Sequence, residues 1–390
     1  MLFEPADRIK GLPPYLFVDI DRRKRAAIAA GKDVINLGIG DPDKPTHGFI
    51  IDRMRTAIDT PANHRYPSDI GAPVFRSTVA AFFEKRYGVK LDAEREILGL
   101  IGTKEGLGHL ALAVVNPGDV VLVPSPGYPV YSSGTLFAGG TSHILPLREE
   151  NGFLPDLSKI PAGVLQKAVL LHINYPNNPT GAVAPRSFYE EVVAFARKHD
   201  LIVSSDAAYN EMYFDDADRA PSILEVAGAK EVAVELHSCS KTFNMTGWRL
   251  GFAVGNPDVL AALAKIKSNV DSGQFTAIQE AGAAAYEGIE REEIRKARAM
   301  YRERALMMAA GLRELGFRVK DPRATFYVWA GLPGGMKSME TVVRLIEEAA
   351  IITVPGTGFG PEGEGYVRFA MTVDVDRIKM ALGRMREMEW

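Results

Sequence analysis

Short apolar runs alternate with amphipathic segments through the middle of the sequence. The apolar runs have the length of buried strands, and the segments between them have helical spacing. The strand-like runs are residues 120–123, 168–173, 201–203 and 232–236, and the clearest helical patterns are residues 104–115 and 187–199. This alternation predicts an α/β fold whose sheet is mainly parallel and covered by helices on both faces.

The pattern changes near residue 289, where a long charged helical pattern begins and runs to residue 315. Short strands are then predicted near 318–319 and 326–329, followed by two more amphipathic stretches. The first forty residues could belong to either unit by pattern alone. We predict a large domain over residues 41–287 and a smaller α+β domain formed by residues 1–40 and 288–390.

Composition limits the partners that the protein can have. The 390 residues include 46 basic and 49 acidic side chains, so the chain as a whole has no positive field for nucleic acid or anionic lipid. Cys239 is the single cysteine, and no apolar run approaches the roughly 20 residues that span a bilayer. No apolar signal segment opens the sequence. We expect a cytoplasmic protein with small-molecule substrates, no nucleic-acid or membrane partner and no metal.

The stretch 238–249 follows the strand-like run 232–236 and carries most of the chemistry. Ser238, Ser240 and the guanidinium of Arg249 could together form a binding site for an anion such as phosphate. Lys241 lies among them, where desolvation and nearby positive charge would favour its neutral, nucleophilic form. The alternative is a solvated surface loop with an ordinary lysine.

Two other polar motifs also follow predicted strands. The stretch 174–181 reads as a turn that could direct an asparagine amide into a ligand crevice. Asp206 follows the run 201–203 and could be a helix cap or the partner of a positive charge. Tyr209 would share a face with Asp206 if a helical turn begins there, and otherwise it is a core residue.

These three motifs, NNPTG, then Asp206 with Tyr209, then SCSKTFNMTGWR, resemble the class I family of fold-type I aminotransferases that depend on pyridoxal 5′-phosphate (PLP). Their order along the chain is that of the family. Further similarity covers nearly the whole sequence, at residues 36–43, 66–67, 102–106, 126–129 and 366–369. The resemblance implies the fold type I architecture, with a large, mainly parallel, seven-stranded sheet domain and a smaller α+β domain.

The resemblance also implies how PLP would be held. Lys241 would be the catalytic residue and would carry the cofactor as a Schiff base. Asp206 would pair with the pyridinium nitrogen, and Asn178 and Tyr209 would contact the phenolate oxygen. Tyr128 would stack on the ring. The implied phosphate contacts are the backbone at Thr103 and Lys104, the side chains of Ser238, Ser240 and Arg249, and Tyr66 from the other subunit of a homodimer.

For the substrate, Arg368 matches the family arginine that binds the α-carboxylate through a two-point fork, a geometry that lysine cannot reproduce. Gly40 would contribute backbone to the same end of the substrate, and Tyr128 and Asn178 would border it. Without the resemblance, Arg368 would read as an exposed strand residue in an ion pair.

Within the family, residues 8–17, 38–43 and 267–273 are similar to the LL-diaminopimelate aminotransferase branch. This similarity implies that Tyr15 and Gly40 contact the substrate and that Asn269 approaches the cofactor. Asp69 could accept a hydrogen bond from the distal ammonium of such a substrate, or it could be a turn residue before Gly71.

The implied reaction is a ping-pong transamination between amino-acid and 2-oxo-acid substrates. For this branch, the substrates would be LL-diaminopimelate or tetrahydrodipicolinate with 2-oxoglutarate or glutamate, in lysine biosynthesis. The alternatives are an aspartate, alanine or aromatic aminotransferase, a β-lyase, or a non-catalytic PLP-binding regulatory protein. A dinucleotide-binding enzyme is disfavoured because Gly38 and Gly40 are followed by Asp-Pro-Asp, which breaks the glycine fingerprint.

Overall fold

The computed structural model describes residues 4–12 and 17–390. Its strands are β1 (Ile35–Asn36), β2 (Ile97–Leu100), β3 (Val120–Ser125), β4 (Thr141–Pro146), β5 (Ala168–Asn174), β6 (Ile202–Asp206), β7 (Ala233–Ser238), β8 (Gly251–Gly255), β9 (Tyr327–Gly331), β10 (Ile351–Ile352), β11 (Val354–Pro355) and β12 (Tyr366–Ala370). Its α-helices are α1 (Asp7–Lys10), α2 (Phe17–Ala29), α3 (Gly48–Ile58), α4 (Pro73–Tyr87), α5 (Thr103–Val114), α6 (Val130–Phe137), α7 (Ala162–Leu165), α8 (Arg186–Lys198), α9 (Ala229–Val232), α10 (Cys239–Thr242), α11 (Pro257–Val270), α12 (Thr276–Glu287), α13 (Glu292–Glu314), α14 (Ser338–Ala349) and α15 (Val375–Arg386).

The largest sheet has seven strands in the order β2-β8-β7-β6-β5-β3-β4. Strand β8 runs antiparallel to both of its neighbours, and the other pairings are parallel. The prediction of a mainly parallel α/β sheet is therefore confirmed. Asn174 pairs with Asp206, and Asp206 pairs with Leu236, so the carboxyl ends of β5, β6 and β7 lie side by side.

Helices cover this sheet with their apolar faces. In α8, the buried residues recur at helical spacing, from Phe188 through Val192 to Ala196. Strand residues such as Leu171 and Val203 are fully buried in the same core. The described part of the chain contains no helix that is both long and apolar enough to cross a membrane.

A second, antiparallel sheet has the order β11-β12-β9, and β1 pairs in parallel with β10. The segment around β1 therefore joins the carboxyl-terminal part of the chain in space. The domain boundaries that we placed at residues 41 and 287 stay a prediction.

The strand predicted near residues 318–319 is wrong. Arg318 forms an isolated bridge with Gly331, and no strand extends from it. Pro322 and Pro333 lie on either side of this short pairing. Proline has no N–H group and cannot donate to a ladder, so the pairing stops after one bridge.

Candidate active site

Lys241 lies where β7 ends, on the short helix α10. The helix starts at the cap residue Ser238, whose Oγ accepts a hydrogen bond from the backbone N–H of Ser240 at 3.1 Å. Lys241 Nζ donates to the carbonyl oxygen of Gly40 at 2.8 Å and lies 5.7 Å from the ring centroid of Phe326. The lysine therefore faces the loop after β1.

The surroundings of Lys241 favour its neutral form. Burial lowers the pKa of its ammonium, and the charges of Arg368 and Arg249 act in the same direction. Tyr327 and Asp41 oppose this shift without reversing it. A desolvated amine with a lowered pKa is a better nucleophile and base near neutral pH than a surface lysine.

Asp206 provides a buried carboxylate at the end of β6. Its Oδ2 accepts a hydrogen bond from the Tyr131 hydroxyl at 2.7 Å, and its Oδ1 accepts one from the Ala208 N–H at 3.2 Å. Burial raises the pKa of this carboxyl to about 6, although both hydrogen bonds oppose the shift. Because its donors are neutral, the carboxylate is suited to a cationic partner.

Arg368 presents a buried guanidinium from β12. Its Nη1 donates to Asn178 Oδ1 and its Nη2 to the Gly38 carbonyl oxygen, each at 2.8 Å. Its Cζ lies 4.2 Å from the ring centroid of Tyr327 and 4.7 Å from that of Phe359. Arg368 is only 6% exposed, so the alternative of an exposed ion-paired residue is wrong. Such a desolvated fork is suited to a carboxylate.

A cavity of about 750 Å³ opens beside Arg368. Its walls come from α2, from the loop after β1 and from residues 352–354. Gly38 and Gly40 line it together with Arg368. A small organic substrate can therefore reach the guanidinium and the carbonyl groups that bind it.

The amino terminus of α5 forms a possible anion site. Gly102 precedes the helix with φ of +77°, and a Cβ atom there would lie 2.5 Å from Arg249 Nη2. The guanidinium therefore passes closely over the start of the helix. Thr103 at this turn is buried, and the Lys104 side chain is exposed. Backbone N–H groups at a helix start and a guanidinium both favour a phosphate.

Two of the predicted tyrosines, Tyr128 and Tyr209, lie near Tyr131, the hydrogen-bond donor to Asp206. Tyr128 is half-buried, and its ring lies 6.1 Å from the ring of Tyr131. The Tyr209 hydroxyl lies 3.0 Å from the hydroxyl of Tyr327 and is buried. The residues after Asp206 form a turn, so the α-helical turn on which we based the Tyr209 argument is absent.

Three predicted residues are not gathered at the site, and a fourth, Tyr15, lies outside the described residues. Tyr66 is 93% exposed, and Asp69 is also at the surface. Asn269 is exposed, and its Nδ2 donates to the Lys265 carbonyl oxygen at 2.7 Å within its own helix. The roles given to these residues stay predictions.

Two tyrosines of the site were missed. Tyr131 lies in the first turn of α6, three residues after Tyr128, which precedes the helix, and it reads as a core residue in the sequence. Tyr327 reads as part of a buried strand. A Cβ atom on Gly40 would lie 2.0 Å from the Tyr327 hydroxyl, so position 40 must be glycine for this tyrosine to fit.

The loop that carries Gly40 is held at two points. Arg304 Nη1 donates to Asp43 Oδ1 at 2.7 Å, and Arg304 itself is buried in α13. The Thr246 hydroxyl donates to Asp41 Oδ1 at 2.6 Å from the segment after α10. The loop is therefore tied both to α13 and to the segment that follows Lys241.

Lys241 and Arg368 thus both donate to the loop of Gly38 and Gly40, and Asp206 ends the strand next to the one that leads to Lys241. Comparison with known families agrees with this arrangement. The model of the family described as aminotransferase class I and II matches residues 32–385. The chain belongs to this family. It is an aminotransferase.

Relatives and solved structures support this assignment along the whole chain. A protein named LL-diaminopimelate aminotransferase from Syntrophobacter fumaroxidans is 54% identical over 390 residues, which is 100% of both chains. A solved Thermus thermophilus aspartate aminotransferase double mutant matches with a TM-score of 0.92 and 28% identity, covering 99% of this chain and 100% of that one. A solved aminotransferase from Staphylococcus aureus has a TM-score of 0.90 and 33% identity, covering 98% of each chain.

Proposed function

We propose that this aminotransferase uses PLP to exchange an amino group between LL-diaminopimelate and 2-oxoglutarate. In the opposite direction, glutamate would be the donor and tetrahydrodipicolinate the acceptor, in lysine biosynthesis. The observation that carries the substrate proposal is the 54% identity, over the full length, to a protein with the name LL-diaminopimelate aminotransferase.

The residues of the cleft fit PLP group by group. An aldehyde suits the Lys241 amine, whose pKa is lowered. A phosphate suits the start of α5, where the Arg249 guanidinium passes over Gly102. A protonated ring nitrogen suits the Asp206 carboxylate, which is buried and accepts hydrogen bonds only from neutral groups. When bound, PLP supplies an aromatic ring that can accept the electrons left on the substrate when a proton departs.

The protein's own groups then divide the remaining tasks. The Arg368 fork would bind the α-carboxylate and orient the substrate, while Asn178 keeps the guanidinium in place through the bond at 2.8 Å. Because Arg368 is buried and packs against two aromatic rings, its charge is little screened by water.

Lys241 would be the base. In its neutral form, Nζ could take the proton from the substrate Cα and donate it to the former aldehyde carbon of PLP, as general acid–base catalysis requires. Its lone pair is available because burial lowers the pKa of the ammonium. Asp206 would keep the ring nitrogen protonated throughout. Two such half-reactions in sequence predict ping-pong kinetics.

We further propose a homodimer in the cytoplasm. The 93% exposure of Tyr66 supports a role for this side chain in the active site of a partner subunit. The buried, unpaired thiol of Cys239 agrees with a reducing compartment.

The direct test measures glutamate formation from LL-diaminopimelate and 2-oxoglutarate by the PLP-loaded protein. We expect activity in the wild type and none in Lys241→Ala. Lys265→Ala is the matched control, because Lys265 is an exposed lysine of α11. Ordinary turnover in Lys241→Ala would refute the role of the lysine, and inactivity of the wild type with this pair would refute the substrate.

A further inference from the structure

A buried tyrosine that takes no part in the proposed proton transfer holds the carboxylate of Asp206. We propose that Tyr131 is a positioning residue that fixes the orientation of Asp206 and keeps it ionised for the cofactor ring. The inference rests on the proposed PLP site and goes beyond it, since Tyr131 would act only through Asp206. The observation behind it is the 2.7 Å hydrogen bond from the Tyr131 hydroxyl to Asp206 Oδ2.

Tyr131 can only donate in this contact. The residue is 1% exposed, and burial together with the Asp206 charge raises the pKa of its hydroxyl well above the usual value. The phenol therefore keeps its proton near neutral pH. A neutral donor of this kind stabilises a carboxylate without neutralising it, so the charge stays available to a cationic ring.

The ring of Tyr131 is itself held by aromatic neighbours. His172 stacks on it with centroids 4.8 Å apart and an angle of 22°. Neither ring nitrogen of His172 has a hydrogen-bond partner among the described residues. Burial lowers the pKa of His172 to about 3, so its ring stays neutral and serves as a flat packing surface. Tyr128 meets Tyr131 edge-on at 6.1 Å.

With both oxygens bonded, Asp206 has one orientation. Oδ1 is held by the Ala208 N–H and Oδ2 by Tyr131. The other titratable groups that act on Asp206 are Tyr209, whose own partner is Tyr327, and His237, which lies 2.7 Å from Glu235. Tyr131 is therefore the side chain that donates directly to the carboxylate.

Removal of the Tyr131 hydroxyl should raise the pKa of Asp206, because the one remaining hydrogen bond, from the Ala208 N–H, stabilises the charge less than the two bonds together. PLP with a protonated ring binds the ionised carboxylate, so its affinity should fall as the pH drops through the pKa of Asp206. In Tyr131→Phe we expect the midpoint of this loss to move upward by about one to two pH units. We also expect kcat to fall more than KM changes, since Arg368 is untouched.

The experiment titrates PLP into apoprotein from pH 5 to pH 8 and records the dissociation constant, without any amino donor. Tyr175→Phe is the matched control, because Tyr175 is also buried and loses one hydrogen bond, to the Phe153 carbonyl oxygen at 2.7 Å. In His172→Phe the stacking surface remains, and the midpoint should stay at the wild-type pH.

A second comparison distinguishes an effect on the Asp206 carboxylate from a folding defect. In an Asp206→Asn background, Tyr131→Phe should cause no further change in PLP affinity, since the carboxylate is gone. Should Tyr131→Phe fail to fold, His172→Ala, which removes the stacked ring, should move the midpoint in the same direction by a smaller amount.

Coincident midpoints for wild type, Tyr131→Phe and His172→Ala would overturn the inference, as would an equal shift in Tyr175→Phe. The proposed substrate can fail separately. A wild type that binds PLP but prefers another donor would refute the substrate alone, and the binding midpoints would still decide the role of Tyr131.

Discussion

Arg368 is buried, and its two Nη groups are bound by an amide oxygen and a backbone carbonyl. Each Nη has two N–H groups, so these bonds leave one on each for a carboxylate. Lysine would offer a point charge in a different plane, so Arg368→Lys should lower kcat/KM for LL-diaminopimelate by roughly 10- to 100-fold. Steady-state kinetics would measure this loss.

The control for that substitution is Arg386→Lys. Arg386 is half exposed and pairs with Glu314 at the surface, 2.8 Å away, so the change there should leave the kinetics unaltered. An Arg368→Lys enzyme with wild-type kcat/KM would contradict the role of the fork.

Individual functional residues that belong to a motif could be predicted from the sequence. Lys241, Asp206 and Arg368 were named in this way. In the structure, Lys241 and Arg368 donate to the same loop, and Asp206 ends the strand next to the one that leads to Lys241, while their catalytic roles stay predictions. Tyr131 could not be found because a tyrosine on a helix is usually a core residue, and its contact with Asp206 joins residues that are 75 positions apart. Only the pairing of strands and helices in three dimensions creates that contact.

At the scale of elements, a buried lysine joins α5 to the end of α11. Lys267 is 1% exposed, and its Nζ lies 3.0 Å from Asp271 Oδ1 and 3.6 Å from Glu105 Oε1. Glu105 lies in the first turn of α5, next to the proposed phosphate site. His109 Nδ1 is 2.9 Å from Glu105 Oε1, so the cluster resembles a metal site, but the ammonium of Lys267 already provides its positive charge.

Lys267→Met should therefore leave two partly buried carboxylates without their cation. We expect the free energy of unfolding to fall by about 3 kcal/mol and PLP to bind more weakly, because the start of α5 would shift. Chemical denaturation and a PLP titration would measure the two effects. Lys265→Met, an exposed lysine on the same helix, should change neither. If both variants were equally stable, the charged cluster around Lys267 would not be needed for the stability of the fold.

Most of the elements were predictable because their apolar spacing is regular. The run 168–173 became β5, and the pattern 187–199 became α8 within one residue at each end. The pairing of β1 with β10 could not be predicted, because each has two residues and too little pattern to identify a partner. We predicted a strand at Arg318 because its neighbour is apolar. The nearby prolines limit the pairing there to a single bridge.

For the whole molecule, we proposed that a second copy of the chain completes the site. Tyr66 is 93% exposed in one protomer, as expected for a side chain that serves the partner. Tyr66→Ala and Lys241→Ala should each give enzymes of low or no activity. When equal amounts are unfolded together and refolded, about half of the dimers should be mixed, and one of the two sites in each contains neither change. The mixture should therefore regain about one quarter of wild-type activity.

Mixing without subunit exchange is the control for that experiment and should give no recovery. If the refolded mixture is no more active than the sum of the separate variants, Tyr66 does not act across a dimer interface. In the sequence, only the family resemblance at residues 66–67 implies this role for Tyr66, since a single exposed tyrosine is common on a surface.

Single half-reactions distinguish the proposed substrate from other amino donors. PLP-loaded protein is mixed separately with LL-diaminopimelate, glutamate, aspartate and alanine, and the change in cofactor absorbance is followed to give a rate per donor concentration. We predict fast conversion with LL-diaminopimelate and glutamate and slow conversion with aspartate and alanine. A preference for aspartate, alanine or an aromatic donor would contradict the proposed substrate and leave a different aminotransferase.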